Sequence, residues 1–532
     1  MARADLIAGI SVAGLMLPEA VAYAGIAGLG PGRAVLAAIA GCLAYAAVGR
    51  SRFAIVSPTS SSAAILAAAL AAIGADAATR DMLATIAVAM TGGLFLIAAV
   101  LRLGGLTGFI ARPVLRGFAF GLAITIILRQ LPQLVGVPIA APDIFHLVAQ
   151  LLAAAPSWHL ASLVTGLTAL VALLALRRMP ALPSGFLILM AGVAVSAWAD
   201  LPAHGVAPIG AIDMRLSWPV LPHLSLSLLS SLGQTVFPLV LILFAESWGT
   251  MRALALHHGD TLNPDRELGA LGFANLAAAA VQGMPVGAGF SAGSASEAAG
   301  AVSRMTAIVA ATGLALLVLL ARAPIALLPQ PVLAAVVIAA LTHALDPRPL
   351  VRLWRLDRDL YIGLAAALGV LALGVLNGML AAIALSIAAL IRRLASPHLI
   401  QLGQLNGGHS YVDIARHSEA VQPPGIEIWR PAEPLFFANA ERLFGLLYRR
   451  LPATGLKALV LSLEESVDLD STALEALIEF CARMAARGTR LRLARVHDPV
   501  RDLLTAAGAD DLVLHSYYSV DDAVAAARQE DL

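Results

Sequence analysis

Apolar runs separated by short polar segments fill the first three quarters of the chain, from residue 6 to about residue 394. A helix needs roughly 20 apolar residues to cross a bilayer, and runs near that length recur about fourteen times, some of them short or broken. Their boundaries are least distinct between residues 140 and 200. The pattern predicts an α-helical membrane protein with about fourteen spans.

The pattern changes near residue 423, where strand-like and helix-like segments alternate. We therefore expect a membrane domain over residues 1–396, a linker over 397–422 and a small α/β domain over 423–532. The predicted strands are GIEIW, PLFFA, KALVLSL and RLRLARV, and the predicted helices are NAERLFGLLYRRL, STALEALIEFCARMAARG (closed by Gly488) and DPVRDLLTAAG.

Composition supports the membrane assignment. The 532 residues are 59% hydrophobic and 13% charged, with a mean hydropathy of +0.84, whereas a soluble protein is about half apolar and a quarter charged. Fifteen of the 34 acidic residues precede Ser396, and the one lysine, Lys457, follows it. A net charge of +1 argues against a nucleic-acid partner. The distant Cys42 and Cys481 argue against a disulfide framework.

Arginine placement predicts the orientation. If the N-terminus is cytoplasmic, most arginines fall in cytoplasmic loops, which is the positive-inside bias expected of an even number of spans. We therefore expect a multi-pass protein of the cell (inner) membrane, surrounded by membrane lipid, with its N-terminus and tail in the cytoplasm. The arginines assigned to cytoplasmic loops are Arg50, Arg52, Arg102, Arg112, Arg116, Arg177, Arg178, Arg252, Arg266, Arg304, Arg348, Arg352, Arg355, Arg358, Arg392 and Arg393, and those assigned to the other side are Arg80, Arg129, Arg215 and Arg322.

Two segments, one in each half of the membrane part, have the same design. RFAIVSPTSSSAAILAAAL (52–70) and VQGMPVGAGFSAGSASEAA (281–299) each begin with a non-helical stretch broken by proline or glycine, and each then opens a helix with small and hydroxyl residues. Such paired segments indicate a transporter with inverted repeats, whose half-helices meet at the bilayer midplane. Close helix packing by small residues is the alternative for either segment alone.

Two acidic residues lie inside predicted spans, where ionisable groups are costly and usually functional. Glu19 lies more than three turns into the first span, directly after Pro18, which removes a helix hydrogen bond. Glu246 lies in a long apolar helix that begins near residue 224. Because burial favours the neutral form, each glutamate is a candidate proton carrier; a permanently neutral structural role is the alternative. Tyr23 and Thr250 follow the two glutamates by one turn and share their helix faces.

The order of these segments resembles the sulfate permease (SulP) family of anion transporters. The membrane part contains, in order, LPEAVAYAGIAGL, GRSRFAIVSPTSS, AESWG, LNPDRELGALGFANL and GMPVGAGFSAGSAS. The tail contains WRPAEPLFFANAERLF and then LVLSLEESVDLDSTALEAL, which resemble the STAS domain that the family carries at its C-terminus. Each fragment is weak by itself, whereas the set in this order is highly specific.

The resemblance implies a fold and a site. The fold would be a seven-plus-seven inverted repeat in which a core domain moves against a gate domain, usually in a homodimer. The substrate would lie between the third and tenth spans, facing the first and eighth. By position, the implied substrate-binding residues are Glu19, Tyr23, Ser57, Thr59, Ser60, Glu246, Gly287, Ala288, Gly289, Phe290 and Ser291, and the implied coupling-ion residues are Glu19, Glu246 and Thr250.

Two departures from the family's pattern bear on the mechanism. Many relatives have glutamine at the position of Glu19 and arginine at that of Ala292, so the usual fixed positive charge is missing here. Two helix N-termini supply about one positive charge together. Two ionised glutamates and a dianion would outweigh this positive charge. The repulsion among the negative charges would cost several kcal/mol even at an effective dielectric of about 20. We therefore expect proton–anion symport, with sodium at Glu246 and Thr250 as the second choice and no other cofactor.

The sequence leaves the anion open, whether inorganic or organic. Sulfate, a C4-dicarboxylate and bicarbonate are all oxyanions that such a site could bind. A non-transporting anion sensor is an alternative from another class. An enzyme is not expected, because no nucleophile–base set or cluster of metal ligands is visible in the sequence.

The tail carries one candidate regulatory site. Asp470, Ser471 and Thr472 precede a predicted helix, where capping alone could account for all three. In soluble relatives of the STAS fold a serine or threonine in this loop can be phosphorylated, and phosphate is electrostatically tolerated at a helix N-terminus. The resemblance therefore implies a regulatory role for Ser471 and a cytoplasmic partner at the STAS domain.

Overall fold

The computed structural model describes residues 2–73, 79–105, 112–139, 141, 143–176, 184–210, 226–348, 351, 355, 360–396, 398–452 and 454–529. The chain divides into two compact units, Met1–Ser386 and Ile387–Leu532. Five of the arginines on which the predicted orientation depends lie outside the described residues, namely Arg177, Arg178, Arg215, Arg352 and Arg358.

The first unit is built almost entirely from helices, which confirms the helical fold class. Two three-residue strands interrupt them, and the last helix crosses the division between the two units. In chain order the elements are α1 (Ala2–Ala27), α2 (Pro31–Val48), β1 (Val56–Pro58), α3 (Ser60–Ala72), α4 (Arg80–Val100), α5 (Arg112–Val135), α6 (Ile144–Ala153), α7 (Leu160–Leu176), α8 (Ser184–Trp198), α9 (Leu226–His257), α10 (Pro264–Ala280), β2 (Val286–Ala288), α11 (Phe290–Ala298), α12 (Met305–Leu320), α13 (Arg322–Ala326), α14 (Gln330–Leu341), α15 (Leu360–Leu373) and α16 (Val375–Ala395).

Many of these helices are apolar enough for a bilayer. Among the described residues, six helices are long and apolar enough to cross a membrane: α1, α2, α4, α5, α9 and α16. Seven apolar helices of 10–17 residues accompany them: α3, α6, α7, α8, α12, α14 and α15. A multi-span membrane protein is confirmed, while the number of fourteen spans stays a prediction. Helix α1 continues through Pro18, so that proline removes one hydrogen bond without ending the helix.

The same order of elements occurs twice. A long helix, a second helix, a three-residue strand, a half-length helix and a further helix follow one another in α1–α4 and again in α9–α12. Strands β1 and β2 pair antiparallel, with Ser57 opposite Gly287. These elements pack together as one group, which we call the core helices. Helices α5, α7, α14 and α15 pack on one another as a second group, the gate helices.

The second unit is a mixed sheet with helices on both faces. The elements are β3 (Leu399–Leu405), β4 (Tyr411–Asp413), β5 (Ala420–Val421), β6 (Ile426–Pro431), α17 (Ala440–Arg450), β7 (Ala458–Ser462), α18 (Ser471–Ala486), β8 (Arg490–Ala494), α19 (Asp498–Ala506), α20 (Asp510–Leu514), β9 (Ser516–Tyr517) and α21 (Val520–Gln529). The strand order is β4-β3-β6-β7-β8-β9, β5 also pairs with β3, and the run from β6 to β9 is parallel.

Side-chain alternation along β7 explains this layering, because successive residues of a strand face opposite sides of the sheet. Leu459 and Leu461 belong to one buried cluster with Phe444 of α17 and Phe480 of α18. Val460 belongs to another cluster, which includes Val524 of α21. Both faces of the parallel strands are therefore covered, as their nearly continuous apolar sequence predicts.

Two sequence expectations for the tail need correction. Residues 399–421, expected to be part of a linker, form β3, β4 and β5 and pair within the sheet. The strands on either side of the hairpin loop at Gly407 and Gly408 are short and mostly half-buried. The sequence therefore does not reveal their pairing. The segment PLFFA, expected to be a strand, is a loop and turn that leads into α17.

Candidate functional site

Strands β1 and β2 hold the starts of the two half-helices side by side. Asn275 of α10 fixes β2, because its amide nitrogen donates to the carbonyl oxygen of Val286 (2.9 Å) and its amide oxygen accepts from the backbone N–H of Val286 (3.0 Å). Gly41 of α2 allows β1 to pack closely against this helix, because a Cβ at Gly41 would lie 2.8 Å from the carbonyl oxygen of Val56. Broken backbone is thus tolerated deep in the unit because its polar groups are satisfied by the protein.

The two half-helices begin differently. Helix α3 is self-capped: the Thr59 hydroxyl accepts from the backbone N–H of Ser62 (3.1 Å), and the Ser62 hydroxyl also donates to the carbonyl oxygen of Pro285 (3.0 Å). Helix α11 begins after Gly289, which provides no side-chain cap. Its first intrahelical bond runs from the N–H of Gly293 to the carbonyl of Gly289. The N–H groups of residues 290–292 therefore point out of the helix start without intrahelical partners.

A cavity of about 310 Å³ lies at these two helix starts. Core helices supply its polar wall and part of its apolar lining, and the described lining residues of the gate helices α5 and α14 are all apolar. The residues from the core helices are Glu19, Tyr23, Ser57, Pro58, Thr59, Ser60, Ser61, Ile242, Glu246, Gly289, Phe290, Ser291 and Ala292, and those from the gate helices are Leu115, Phe118, Ala119, Leu122 and Ala123 of α5, with Ala340 and Leu341 at the end of α14.

Each half-helix presents a hydroxyl to one carboxyl group. Ser291 of α11 donates to Oε1 of Glu19, at 2.7 Å. Ser61 of α3 donates to Glu246, and Thr59 lies within 3.4 Å of the same oxygen. Among the described residues that line the cavity there is no arginine, lysine or histidine. Within the described lining, positive potential therefore comes from the two helix N-termini.

Two further buried hydroxyl groups face the cavity and have no hydrogen-bond partner among the described residues. Tyr23 and Ser57 are 7% and 5% exposed, both line the cavity, and neither side chain forms a hydrogen bond within the described part of the chain. A buried hydroxyl normally has a partner. These two groups are therefore available to a solute or to water in the cavity.

Nine of the predicted site residues line this cavity, and three do not. A Cβ at Gly287 would lie 2.4 Å from Cδ1 of Leu243, so Gly287 permits β2 to pack on α9. Ala288 is fully buried, and its N–H donates to the Ser247 hydroxyl at 2.9 Å. Thr250 packs toward Gly293 of α11. The nine that line it are Glu19, Tyr23, Ser57, Thr59, Ser60, Glu246, Gly289, Phe290 and Ser291.

Sequence reasoning missed Ser61 and the apolar wall. Ser61 lies in a run of three serines, and only the rotation of α3 decides which of them faces Glu246. The wall residues of α5 have no distinguishing signal, because apolar side chains are expected everywhere in a membrane helix.

In the second unit, Ser471 is exposed at the first position of α18. The N-cap is the preceding Asp470, whose carboxylate accepts from the N–H of Ala473 (2.8 Å) and from that of Phe437 (2.6 Å). Asp470 therefore accounts for the capping. The regulatory role of Ser471 stays a prediction.

Comparison with known proteins identifies the family. The sulfate permease family model matches residues 3–367, and the STAS domain model matches residues 417–523. A probable sulfate transporter of Mycobacterium tuberculosis is 32% identical, over 96% of this chain and 92% of the relative. The chloroplastic sulfate transporter 4.1 of Arabidopsis thaliana is 27% identical, over 97% of this chain and 78% of the relative.

Solved structures share the fold. The murine solute carrier 26 family member A9 anion transporter, in its inward-facing state, matches with a TM-score of 0.90 at 19% identity, over 99% of this chain and 91% of the other. The transmembrane domain of the cyanobacterial bicarbonate transporter BicA matches with a TM-score of 0.64 at 20% identity, over 71% of this chain and 97% of the other. The chain therefore belongs to the sulfate permease family, as a multi-span transporter with a STAS domain, and it is not an enzyme.

Proposed function

We propose that this protein is a secondary active transporter that moves a small oxyanion together with protons. One observation carries the proposal: two carboxyl groups, Glu19 and Glu246, share a cavity with two helix N-termini, and the described residues that line it include no basic side chain. Helix N-termini attract anions through their free N–H groups and their dipole. Ionised carboxylates in the same cavity repel an anion, so protonation and anion binding support each other.

Glu19 gives this coupling a concrete form. Its carboxylate accepts a hydrogen bond from Ser291 in the first turn of α11, the helix whose start has no side-chain cap. An ionised Glu19 thus lies where a bound anion would gain most from the N–H groups of that turn. When Glu19 is protonated, its negative charge no longer competes with the anion. The anion can then take the place of the carboxylate beside Ser291.

The cavity also suggests how access alternates. In the lining that the structure describes, core helices supply the polar groups and the gate helices supply apolar residues. A movement of the core helices along the gate would carry the bound anion past that apolar surface, which is an elevator-like mechanism. The resemblance further supports a homodimer in the cell (inner) membrane, with the N-terminus and the STAS domain in the cytoplasm.

Relatives suggest the type of anion. The two sequence relatives are described as sulfate transporters, one of them as probable, and one solved neighbour is a bicarbonate transporter. Sulfate is the first candidate from these names, and bicarbonate or a C4-dicarboxylate is the alternative.

Uptake by purified protein in liposomes, with an imposed pH gradient, tests the coupling. We expect an inward proton gradient to drive anion accumulation in the wild type, and the Glu19→Gln protein to lose that response while still binding the anion. Glu297→Gln is the matched control, because Glu297 bonds to His258 instead of lining the cavity. A Glu19→Gln protein that follows the gradient as the wild type does would remove Glu19 from the coupling role.

Sodium coupling is the second candidate. Glu246 has two hydroxyl oxygens beside it, from Thr59 and Ser61, and oxygen atoms are the ligands of hard cations. A sodium gradient in the same liposomes separates the two, since proton coupling predicts no accumulation from sodium alone.

A further inference from the structure

The cavity wall is divided by chemistry. On one side lie the start of α11, the two carboxyl groups and the hydroxyls of Tyr23 and Ser57, which have no partner among the described residues. On the other side lie Leu115, Phe118 and Leu122 of α5 and Leu341 of α14. Phe118, Leu122 and Leu341 are at most 7% exposed, so their packing within the protein is fixed. Any solute that fills the cavity must match a polar side and an apolar side.

An inorganic oxyanion matches only the polar side. Sulfate presents oxygen atoms in all directions, and each of them needs a hydrogen-bond donor or water when it leaves bulk solvent. Oxygens directed at Phe118 and Leu122 would find no donor among the described gate-helix side chains that line the cavity. A second negative charge would add to the problem, because the described lining has no basic side chain to balance it.

The size of the cavity agrees with a longer solute. Its volume of about 310 Å³ corresponds to about ten water molecules at roughly 30 Å³ each. An oxyanion head at the start of α11 would leave space in front of the α5 wall. A short hydrocarbon tail can fill that space and remove both itself and the leucine side chains from water.

We propose that the preferred substrate is an organic monoanion, with an oxyanion head bound at the start of α11 and an apolar tail of a few carbons against Phe118, Leu122 and Leu341. Aliphatic carboxylates and sulfonates share this chemistry. The inference rests on the proposed oxyanion transport and narrows it from small oxyanions in general to those with a tail.

Binding to the full-length protein in lipid nanodiscs, measured by calorimetry at one fixed pH, tests this. The ligands are sulfate, methanesulfonate, butanesulfonate and butyrate. Each buried methylene is expected to tighten binding about fourfold, so butanesulfonate should bind at least about tenfold more tightly than methanesulfonate or sulfate. Tight binding of butyrate but not of butanesulfonate would mean that the site requires a carboxylate head. Tight binding of both would mean that the site accepts either head.

Two results would overturn the proposal in distinguishable ways. Sulfate that binds as tightly as the tighter of butanesulfonate and butyrate, or more tightly, contradicts the tail and leaves oxyanion transport intact. A protein that binds none of the four anions contradicts the proposed function as well.

Variants of the α5 wall test the placement of the tail. Leu122→Asn should weaken butanesulfonate binding about tenfold without weakening sulfate binding, because it puts an amide, which can donate to an oxyanion, where the tail lies. Leu122→Met keeps the wall apolar and is the matched control. Ala119→Ser makes a smaller polar change on the same wall and serves if Leu122→Asn does not fold. If Leu122→Asn lowers the affinity for tailed and untailed anions equally, the tail does not lie against this wall and the proposal is overturned.

Discussion

Ser291 at the start of α11 donates a hydrogen bond to Glu19 in the middle of α1, with 2.7 Å between Oγ and Oε1. The bond joins a half-helix to the first long helix across 272 positions of sequence. It also directs a carboxyl group toward the helix start that has no side-chain cap of its own. The residue that would exchange a proton and the turn that would hold the anion are therefore in direct contact.

Loss of the Ser291 hydroxyl should impair transport. We expect Ser291→Ala to lower anion uptake about tenfold, because hydrogen bonds to charged groups contribute about 1.5–3 kcal/mol and this hydroxyl serves both Glu19 and the anion. Initial uptake rates in liposomes, at equal protein content, measure the effect. Ser294→Ala is the control, since Ser294 is on the same helix and does not line the cavity. Equal loss in the two variants would mean that α11 tolerates no such change and that the contact with Glu19 is not the cause.

Two buried tyrosines should respond in opposite ways to the loss of their hydroxyl group. Tyr45 is 1% exposed and donates to the fully buried carboxyl group of Glu267. Tyr23 faces the cavity and has no hydrogen-bond partner in the described part of the chain. We expect Tyr45→Phe to lower the free energy of unfolding by about 1–3 kcal/mol, since it leaves a buried acceptor unsatisfied. We expect Tyr23→Phe to leave stability unchanged and to weaken anion binding.

Thermal melting and anion titration of the same two preparations measure both effects. Glu267 also accepts from the backbone N–H of Arg50 at 3.1 Å, so the Tyr45→Phe protein retains one of its contacts and should still fold. A Tyr23→Phe protein that melts early but binds anion normally would contradict the assignment of Tyr23 to the cavity.

Much of the site could be predicted from local sequence rules. Glu19 and Glu246 are detectable because a carboxyl group in an apolar run is rare. The half-helices are detectable because Pro58 and Pro285 precede runs of small residues in matching places. These signals depend only on neighbouring residues, and the structure brings both glutamates and both half-helices to one cavity.

Other features depend on how distant elements pack. Gly287 and Ala288 lie in the same broken segment as Ser291, yet β2 turns them toward α9. The α5 wall and the contact of Ser61 with Glu246 follow from helix rotation, which a helix without a polar face does not reveal. The strands at residues 399–421 are missed for a related reason, because each is too short and too exposed to have a clear alternating pattern.

Two adjacent glycines in α4 should differ in their tolerance of a methyl group. A Cβ at Gly92 would lie 2.8 Å from Cγ and 2.9 Å from the backbone nitrogen of Leu276 on α10, whereas a Cβ at Gly93 would have no atom within 4 Å. We expect Gly92→Ala to lower the melting temperature, since overpacking costs about 1–3 kcal/mol. Gly93→Ala should keep or raise it, because alanine in a helix is favoured over glycine by about 0.5–1 kcal/mol. Equal melting temperatures would mean that α4 and α10 separate easily at this crossing.

The second unit contains a pH-dependent contact between a hairpin and its last helix. A ring nitrogen of His409, in the β3–β4 loop, lies 2.5 Å from Oδ2 of Asp521 on α21, and Tyr411 donates to Oδ1 of Asp521 at 3.1 Å. The hydrogen bond to Asp521, and then its charge, raise the pKa of His409 above the ordinary 6.5. The hydrogen bond from His409 in turn lowers the pKa of Asp521. Arg528 of α21 is the other charged group nearby, and it also lowers the pKa of Asp521.

The sign of the pH dependence follows from these shifts. Because the pKa of His409 is higher in the folded protein, the stability that His409 contributes is fully present below pH 6.5. This stability is lost as the pH rises through the raised pKa. Because the pKa of Asp521 is lower in the folded protein, the stability that Asp521 contributes is lost only as the pH falls through this lowered pKa. We therefore expect the hairpin to be best protected in mildly acidic solution. Hydrogen exchange at residues 405–413 of the full-length protein, corrected for the intrinsic effect of pH, measures this. The His409→Asn protein should show no such pH dependence, and an unchanged dependence in that variant would assign the effect to another group.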